Sequence, residues 1–206
     1  MFLKGVTASA VSAEGVAPAA DWSTWERDGR APRSSDGAGL LTDFRDDLQQ
    51  FVALGCNAWR VTIEWARIEP EPGKVDHDAL DIYRDVLAFA REVGLQNWIT
   101  LQSTTLPGWY LDDEGGHCDE DARGRYWLRH VDWVAEVFDE FATGFVPIDD
   151  PIGWAVRSYG LGSQPPGRKD RVVLRDAVEG RIRSPRAGVE EVDIVPTGLE
   201  VFDPVG

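Results

Sequence analysis

Residues 57–70 read Asn57-Ala58-Trp59-Arg60-Val61-Thr62-Ile63-Glu64-Trp65-Ala66-Arg67-Ile68-Glu69-Pro70. The first half of this stretch alternates. Trp59, Val61 and Ile63 fall on one face, and Arg60, Thr62 and Glu64 on the other, which is the period of a β-strand over 57–63. In an open parallel sheet covered on both sides, a central strand is apolar on both faces. A strand that sets Arg, Thr and Glu against an apolar face fits a barrel wall instead, with its polar side near the catalytic mouth and its apolar side against helices.

Working outward, Phe2–Ser9 reads as a first strand, followed by a small-residue loop at Ala10–Ala20. Asp21–Gly39 reads as irregular, with Trp22 and Trp25 inside it. Thr42 is the expected N-cap of a helix on which Phe44, Leu48, Phe51 and Val52 recur at helical spacing, with Gly55 as its stop. A second helix is expected over Asp78–Val93, with an apolar stripe through Ala79, Leu80, Ile82, Tyr83, Val86, Leu87 and Ala90 and Gly94 as its end. Leu95–Leu101 is the third strand. A helix over about Glu120–Ala142, capped by Gly144, leads to a fourth strand at Phe145–Ile148. Ile152–Tyr159 and Val172–Ile182 read as helical, and Val192–Val195 as a strand or extended tail. Strand–helix–strand repeats imply parallel pairing with right-handed crossovers. The expected fold class is therefore α/β, an incomplete (β/α)₈ TIM barrel of about four to five β/α units. Its expected division is a half-barrel over 1–170 and a helix plus extended C-terminal tail over 171–206. No G-x-G-x-x-G follows the first strand and no G-x-x-x-x-G-K-[ST] occurs, so the common phosphate cradles are missing.

Composition limits the function classes. The 206 residues are 43% hydrophobic, enough for a real core. Asp and Glu number 36 against 21 Lys and Arg, a net charge of −15. A surface this negative repels phosphate backbones and anionic lipid, so neither nucleic acid nor a membrane is an expected partner. No apolar run is long enough to span a bilayer. The N-terminus reads as lacking a signal peptide. Cys56 and Cys118 are isolated from each other and from any His cluster, which fits a reducing, cytoplasmic setting. No metal site and no cofactor is expected.

Five collinear stretches carry a resemblance. They are Phe2–Ala10 through Glu14-Gly15; Thr42–Gly55 followed by Ala58–Pro70; Gly73-Lys-Val-Asp76 with Leu80–Tyr83; Thr100-Leu101 with Leu106-Pro107 and Gly115-Gly116; and Pro147–Pro151 with Tyr159–Gly162 and Pro165–Gly167. Together they resemble the N-terminal part of glycoside hydrolase family 1, the β-glucosidase family. The resemblance covers roughly residues 1–170. It implies a (β/α)₈ barrel that hydrolyses β-glycosides with retention, using two glutamates.

The resemblance also assigns candidate site residues. Asp150 stands where the family has its acid/base Glu. Asp149 stands at the Asn that contacts the sugar. Ser103 and Thr104 stand at the family's His-Trp pair, and Ser12 at its Gln. Arg60 is retained as the arginine that supports the nucleophile, and Trp65 as the tryptophan after the second strand. Asp150 is the candidate catalytic residue; Ser12, Arg60, Trp65, Ser103, Thr104 and Asp149 are the candidate substrate-binding residues. The nucleophile of the family lies on the seventh strand, outside the region matched. Asp is one methylene shorter than Glu, and a displacement of about 1 Å in a reacting group costs on the order of 100-fold.

Each residue also has a plainer role. Asp149-Asp150-Pro151 reads as a helix start with acids near the dipole. Glu64 is the best-placed carboxylate to replace the missing nucleophile, with Asp112, Asp113 and Glu114 in a loop within reach of the mouth; the plainer readings are an ion pair of Glu64 with Arg60 on the same strand face and an exposed loop at Asp112–Glu114. His77, His117 and His130 lack partners at metal-ligand spacing and read as structural or surface residues. Trp22, Trp25 and Trp109 read as filling residues, with sugar stacking as the alternative.

The expected activity is thus a β-glucosidase-like glycosidase, inactive or weakly active as this chain. Its expected ligand is a β-glycoside or other small carbohydrate. The alternatives are a non-catalytic carbohydrate-binding remnant, a decayed gene product, or a half-barrel subunit needing a second polypeptide. Four β/α units leave open strand edges. The C-terminal tail, a second copy in a homodimer, or a second-half partner chain is expected to cover them.

Overall fold

The computed structural model describes residues 2–182. Four strands, β1 (Gly5–Ala8), β2 (Ala58–Thr62), β3 (Gln96–Thr100) and β4 (Gly144–Val146), form one sheet in the order β1-β2-β3-β4. All three pairings are parallel, with Thr7, Arg60, Trp98 and Gly144 in one register row. Each strand lies beside the next in sequence, as in an arc of a (β/α) barrel. Among the described residues, β1 and β4 each pair on one side only.

The alternation read from residues 58–63 is present. Trp59, Val61 and Ile63 are buried in the main core with Leu80, Tyr83, Leu87, Ile99 and Phe138. The helices that cover this face are α2 (Leu40–Ala53), α4 (His77–Glu92) and α6 (Leu128–Phe138), with the one-turn α3 (Trp65–Ile68) and α5 (Glu120–Ala122) between them. One polar side chain crosses this apolar layer. Asn97, fully buried in β3, accepts from Trp59 Nε1 at 2.5 Å and donates to the carbonyls of Leu87 (2.9 Å) and Phe141 (3.0 Å). It therefore fastens the strand to α4 and to the turn after α6.

Several element bounds differ from expectation. Helix α2 begins at Leu40, with Gly39 in the left-handed region at its N-cap, and the Thr42 hydroxyl donates back to the Gly39 carbonyl at 2.9 Å. Thr42 is therefore not the cap. The cap of α4 is Asp76, whose carboxylate accepts from Ala79 N–H. Gly55 and Gly94 do follow the ends of α2 and α4. Residues 21–27 form a short helix, α1 (Asp21–Arg27), in a segment expected to be irregular. The helix before β4 ends at Phe138, and Gly144 opens the strand rather than capping the helix. The third helical region is interrupted by a π-helical turn at Arg123–Trp127. After β4 come α7 (Pro151–Ala155), a π-helical turn at Val156–Leu161, and α8 (Arg171–Ile182), whose Ala177 is fully buried in the main core. The segment Val192–Val195 lies outside the described residues.

Candidate active-site wall

Parallel strands present all their C-terminal ends at one edge of the sheet, and the loops leaving that edge carry the candidate residues. Arg60, on the face of β2 away from the helices, reaches Asp149 in the loop after β4. Its Nη1 and Nη2 donate to the two carboxylate oxygens at 2.8 and 3.0 Å. The pair is about three-quarters buried. A bidentate guanidinium–carboxylate contact fixes direction as well as charge, so the Asp149 loop is tied across β3 to β2.

Asp150 points elsewhere. Its backbone is in the left-handed region (φ 44°), and it is the N-cap of α7, with Pro151 at the first helical position. One carboxylate oxygen accepts from Gly153 N–H at 3.0 Å, and the other pairs with Arg157 at 3.2 Å. The helix start read at Asp149-Asp150-Pro151 is thus present, and the adjacent acids serve different partners. Gly153 makes room for this cap. A Cβ there would stand 2.0 Å from an Asp150 carboxylate oxygen.

Glu64 does not pair with Arg60. The strand ends at Thr62, so the alternation that set the two on one face no longer applies at 64. Glu64 turns inward as the residue before α3 and pairs with Arg67, one helical turn on, at 3.0 Å. Its carboxylate also accepts from Ala17 N–H (3.0 Å) and Thr105 Oγ1 (3.2 Å). Arg67 lies 3.4 Å from Glu14 and donates to the Gly15 carbonyl. The Tyr83 hydroxyl donates to Glu14 at 2.6 Å and accepts from Glu64 N–H at 3.2 Å. Two carboxyl groups thus share one guanidinium in a buried site. Burial, then Glu64, pushes the Glu14 carboxyl up to about 8. Burial raises Glu64 to about 7, against the pull of Arg67.

A third buried acid joins another loop. Asp21 accepts from Trp22 N–H (2.6 Å) and Leu106 N–H (3.1 Å), and burial raises its carboxyl to about 8. Asp21 N–H donates in turn to the Leu106 carbonyl, and Gly108 N–H to that of Ala19. Glu64, Arg67 and Asp21 therefore lock together the loops after β1, β2 and β3. Glu14 and Asp21 were absent from the candidates because neither lies in a strand whose alternation could be read.

The other candidates scatter around this edge. Ser12 is exposed, 3.0 Å from the Ser9 hydroxyl. Ser103 is buried, and its hydroxyl has no partner among the described residues. Thr104 is half-buried, and its carbonyl accepts from Trp154 Nε1. Trp65 is buried away from solvent, stacked on His130 at 4.2 Å and donating to Glu69 at 2.8 Å. Trp109 packs edge-on against it at 5.5 Å. Arg30 lies over the Trp25 ring at 3.3 Å. Asp112 and Asp113 are exposed. His117 is buried between Gln102 and Tyr110, and burial lowers His130 to about 3. Among the described residues no group of three or more metal-ligating side chains occurs, and no helix is long and apolar enough to cross a membrane.

Comparison with known proteins gives a consistent result. The model of the family described as Glycosyl hydrolase family 1 matches residues 2–182. Beta-glucosidase A of Thermotoga maritima is 26% identical over 200 residues, covering 89% of this chain and 43% of that protein. The β-glycosidase from Pyrococcus horikoshii superposes with a TM-score of 0.83 at 27% identity, over 89% of this chain and 43% of that one. Beta-glucosidase from Thermotoga maritima in complex with deoxynojirimycin superposes with a TM-score of 0.79 at 25% identity, with the same coverage. The chain thus spans less than half the length of these relatives.

Proposed function

Because the chain belongs to glycosyl hydrolase family 1, we propose that it supplies the first four β/α units of a β-glycoside pocket and turns over little or no substrate by itself. In this reading Asp150 stands at the acid/base position, and Arg60, Asp149, Ser103, Thr104 and Ser12 line the sugar-facing wall. Retaining hydrolysis uses two carboxyl groups about 5–5.5 Å apart, one to protonate the leaving oxygen and one to attack the anomeric carbon. The observation that carries the reading is the engagement of both aspartates. Asp149 is spent on Arg60. Asp150 is folded back onto Gly153 N–H and Arg157, an N-cap and ion-pair role that holds its carboxylate as an acceptor. Proton delivery asks the opposite of that group.

Trp65 is not assigned to the sugar, since aromatic neighbours cover its ring. The open sides of β1 and β4 are the places where a further part of a barrel would pair. A second reading, retention of a sugar without cleavage, is favoured by Arg60, which stays about one-fifth exposed on the wall.

The test is incubation of the chain with an aryl β-glucoside. The expected result is release of the aryl alcohol at the buffer rate, by wild type and Asp150→Asn alike. Sustained turnover that Asp150→Asn abolishes would overturn the proposal. Quenching of tryptophan fluorescence by added sugar without turnover supports the second reading.

A further inference from the structure

A cleft of about 290 Å³ lies on the far side of the β1 loop, between α1 and residues 33–35. Ser23, Glu26 and Arg27 line it from one face of α1, at spacings of three and four residues. Arg33, Ser34 and Ser35 line it from the following loop. It shares no residue with the candidate sugar wall.

The charge pattern in this cleft is unusual for the molecule. In a chain of net charge −15, two guanidinium groups line one small cleft, and no carboxylate lies within ion-pair distance of either among the described residues. Arg27 is steadied by donating to Thr24 Oγ1 at 3.1 Å. The exposed Arg33 makes no side-chain hydrogen bond with a described residue and keeps its full set of donors.

The floor of the cleft is tightly built. Ser34 N–H donates to Glu26 Oε1 at 3.0 Å, and Val16 N–H donates to Ser34 Oγ at 3.1 Å, which leaves the Ser34 O–H free to donate. Gly15, at φ 76°, lets the Ser35 carbonyl approach so closely that a Cβ would lie 1.9 Å from it. Ser35 itself is held at φ 51°, a conformation that costs a non-glycine residue energy.

We propose that this cleft binds a small hydroxylated phosphate monoester. Paired guanidinium groups match phosphate oxygens, and each contact is charge-assisted. Glu26 decides against a bare anion: its pinned carboxylate would repel one, but accepts from hydroxyl groups on the same ligand. Ser23, Ser34 and Ser35 offer hydroxyls that donate or accept. The volume is at the small end for ligand pockets, so the ligand is of three or four carbons rather than a nucleotide.

Isothermal titration of the full chain with glycerol 3-phosphate, inorganic phosphate and glycerol tests this. The expected result is saturable 1:1 binding of glycerol 3-phosphate, weaker binding of inorganic phosphate, and none of glycerol. Arg27→Ala and Arg33→Ala are each expected to weaken binding about tenfold or more, with unchanged thermal melting. Arg84→Ala, a cation exposed on α4, is expected to leave it unaltered. Absence of saturation, wild-type affinity in both arginine variants, or equal affinity for glycerol would overturn the proposal. Equal affinity for inorganic phosphate would overturn the assignment of hydroxyl contacts. Because the site is separate from the sugar wall, aryl β-glucoside turnover neither supports nor weakens it.

Discussion

Arg60 and Asp149 illustrate how far a single residue's partner can be from its sequence neighbourhood. The strand pattern identified Arg60 as facing away from the helices, but offered Glu64 as its partner because both fell on one face. The real partner is 89 positions away. Alternation fixes which side a residue faces only while the chain stays extended, and Glu64 sits where it turns into α3. For a pair this buried, removing one partner costs more than at a free surface. Asp149→Asn is expected to destabilise the chain by about 1–2 kcal/mol, and a double-mutant cycle with Arg60→Gln to show positive coupling. Additive effects in urea unfolding would show that the pair is incidental. Asn97 is the opposite case: a polar residue hidden in an apolar strand, with no local signal of its role. Asn97→Leu strands the Trp59 N–H and the carbonyls of Leu87 and Phe141 in the core. The expected loss is about 3 kcal/mol or more.

At the level of elements, long helices and alternating strands were legible because burial is periodic along them. β1 to β4, α2 and α4 lie where periodicity places them, within a few residues, and α6 occupies the second half of the helical region expected over about Glu120–Ala142, whose first half is a one-turn helix and a π-helical turn. Short elements were not. The seven residues of α1 sit in a turn-rich stretch and hold too few turns to show a period. The start of α2 was displaced by Gly39, whose left-handed backbone begins the helix two residues before Thr42. The short helix α7 depends on one side chain for its start. Asp150→Ala is expected to cost about 1 kcal/mol through loss of the cap, and Asp150→Asn much less, since Asn both caps and tolerates the left-handed region. Gly153→Ala should match or exceed the Asp150→Ala loss, because the new methyl displaces the capping carboxylate. Thermal melting of the three variants checks the order.

For the whole molecule, three buried carboxyl groups set a pH dependence. Glu14, Glu64 and Asp21 all have raised values in the folded chain, to about 8, 7 and 8. Unfolded, they would return to the ordinary carboxylate range. The native state therefore holds more protons than the unfolded state between those limits, and stability falls as pH rises through them. Their contribution is fully present below the unfolded values and is lost by about pH 8. The slope is about 1.4 kcal/mol per pH unit for each extra proton held. The melting temperature is expected to be higher at pH 5.5 than at pH 8, and Glu14→Gln to flatten the difference while keeping the acceptor for Tyr83. An unflattened curve in that variant would remove Glu14 from the account and leave the slope to Glu64, Asp21 and the surface acids. None of this was visible in the sequence, where Glu14 and Asp21 are unremarkable acids in loops. It arises only when three loops converge.

The strict order β1-β2-β3-β4 has a consequence for how the chain is made. Among the described residues each strand pairs with that of the adjacent β/α unit, so the three pairings β1-β2, β2-β3 and β3-β4 wait for no distant segment to be synthesised. As the polypeptide leaves the ribosome, each completed unit meets a template that is already in place, and the domain can assemble vectorially from its N-terminus.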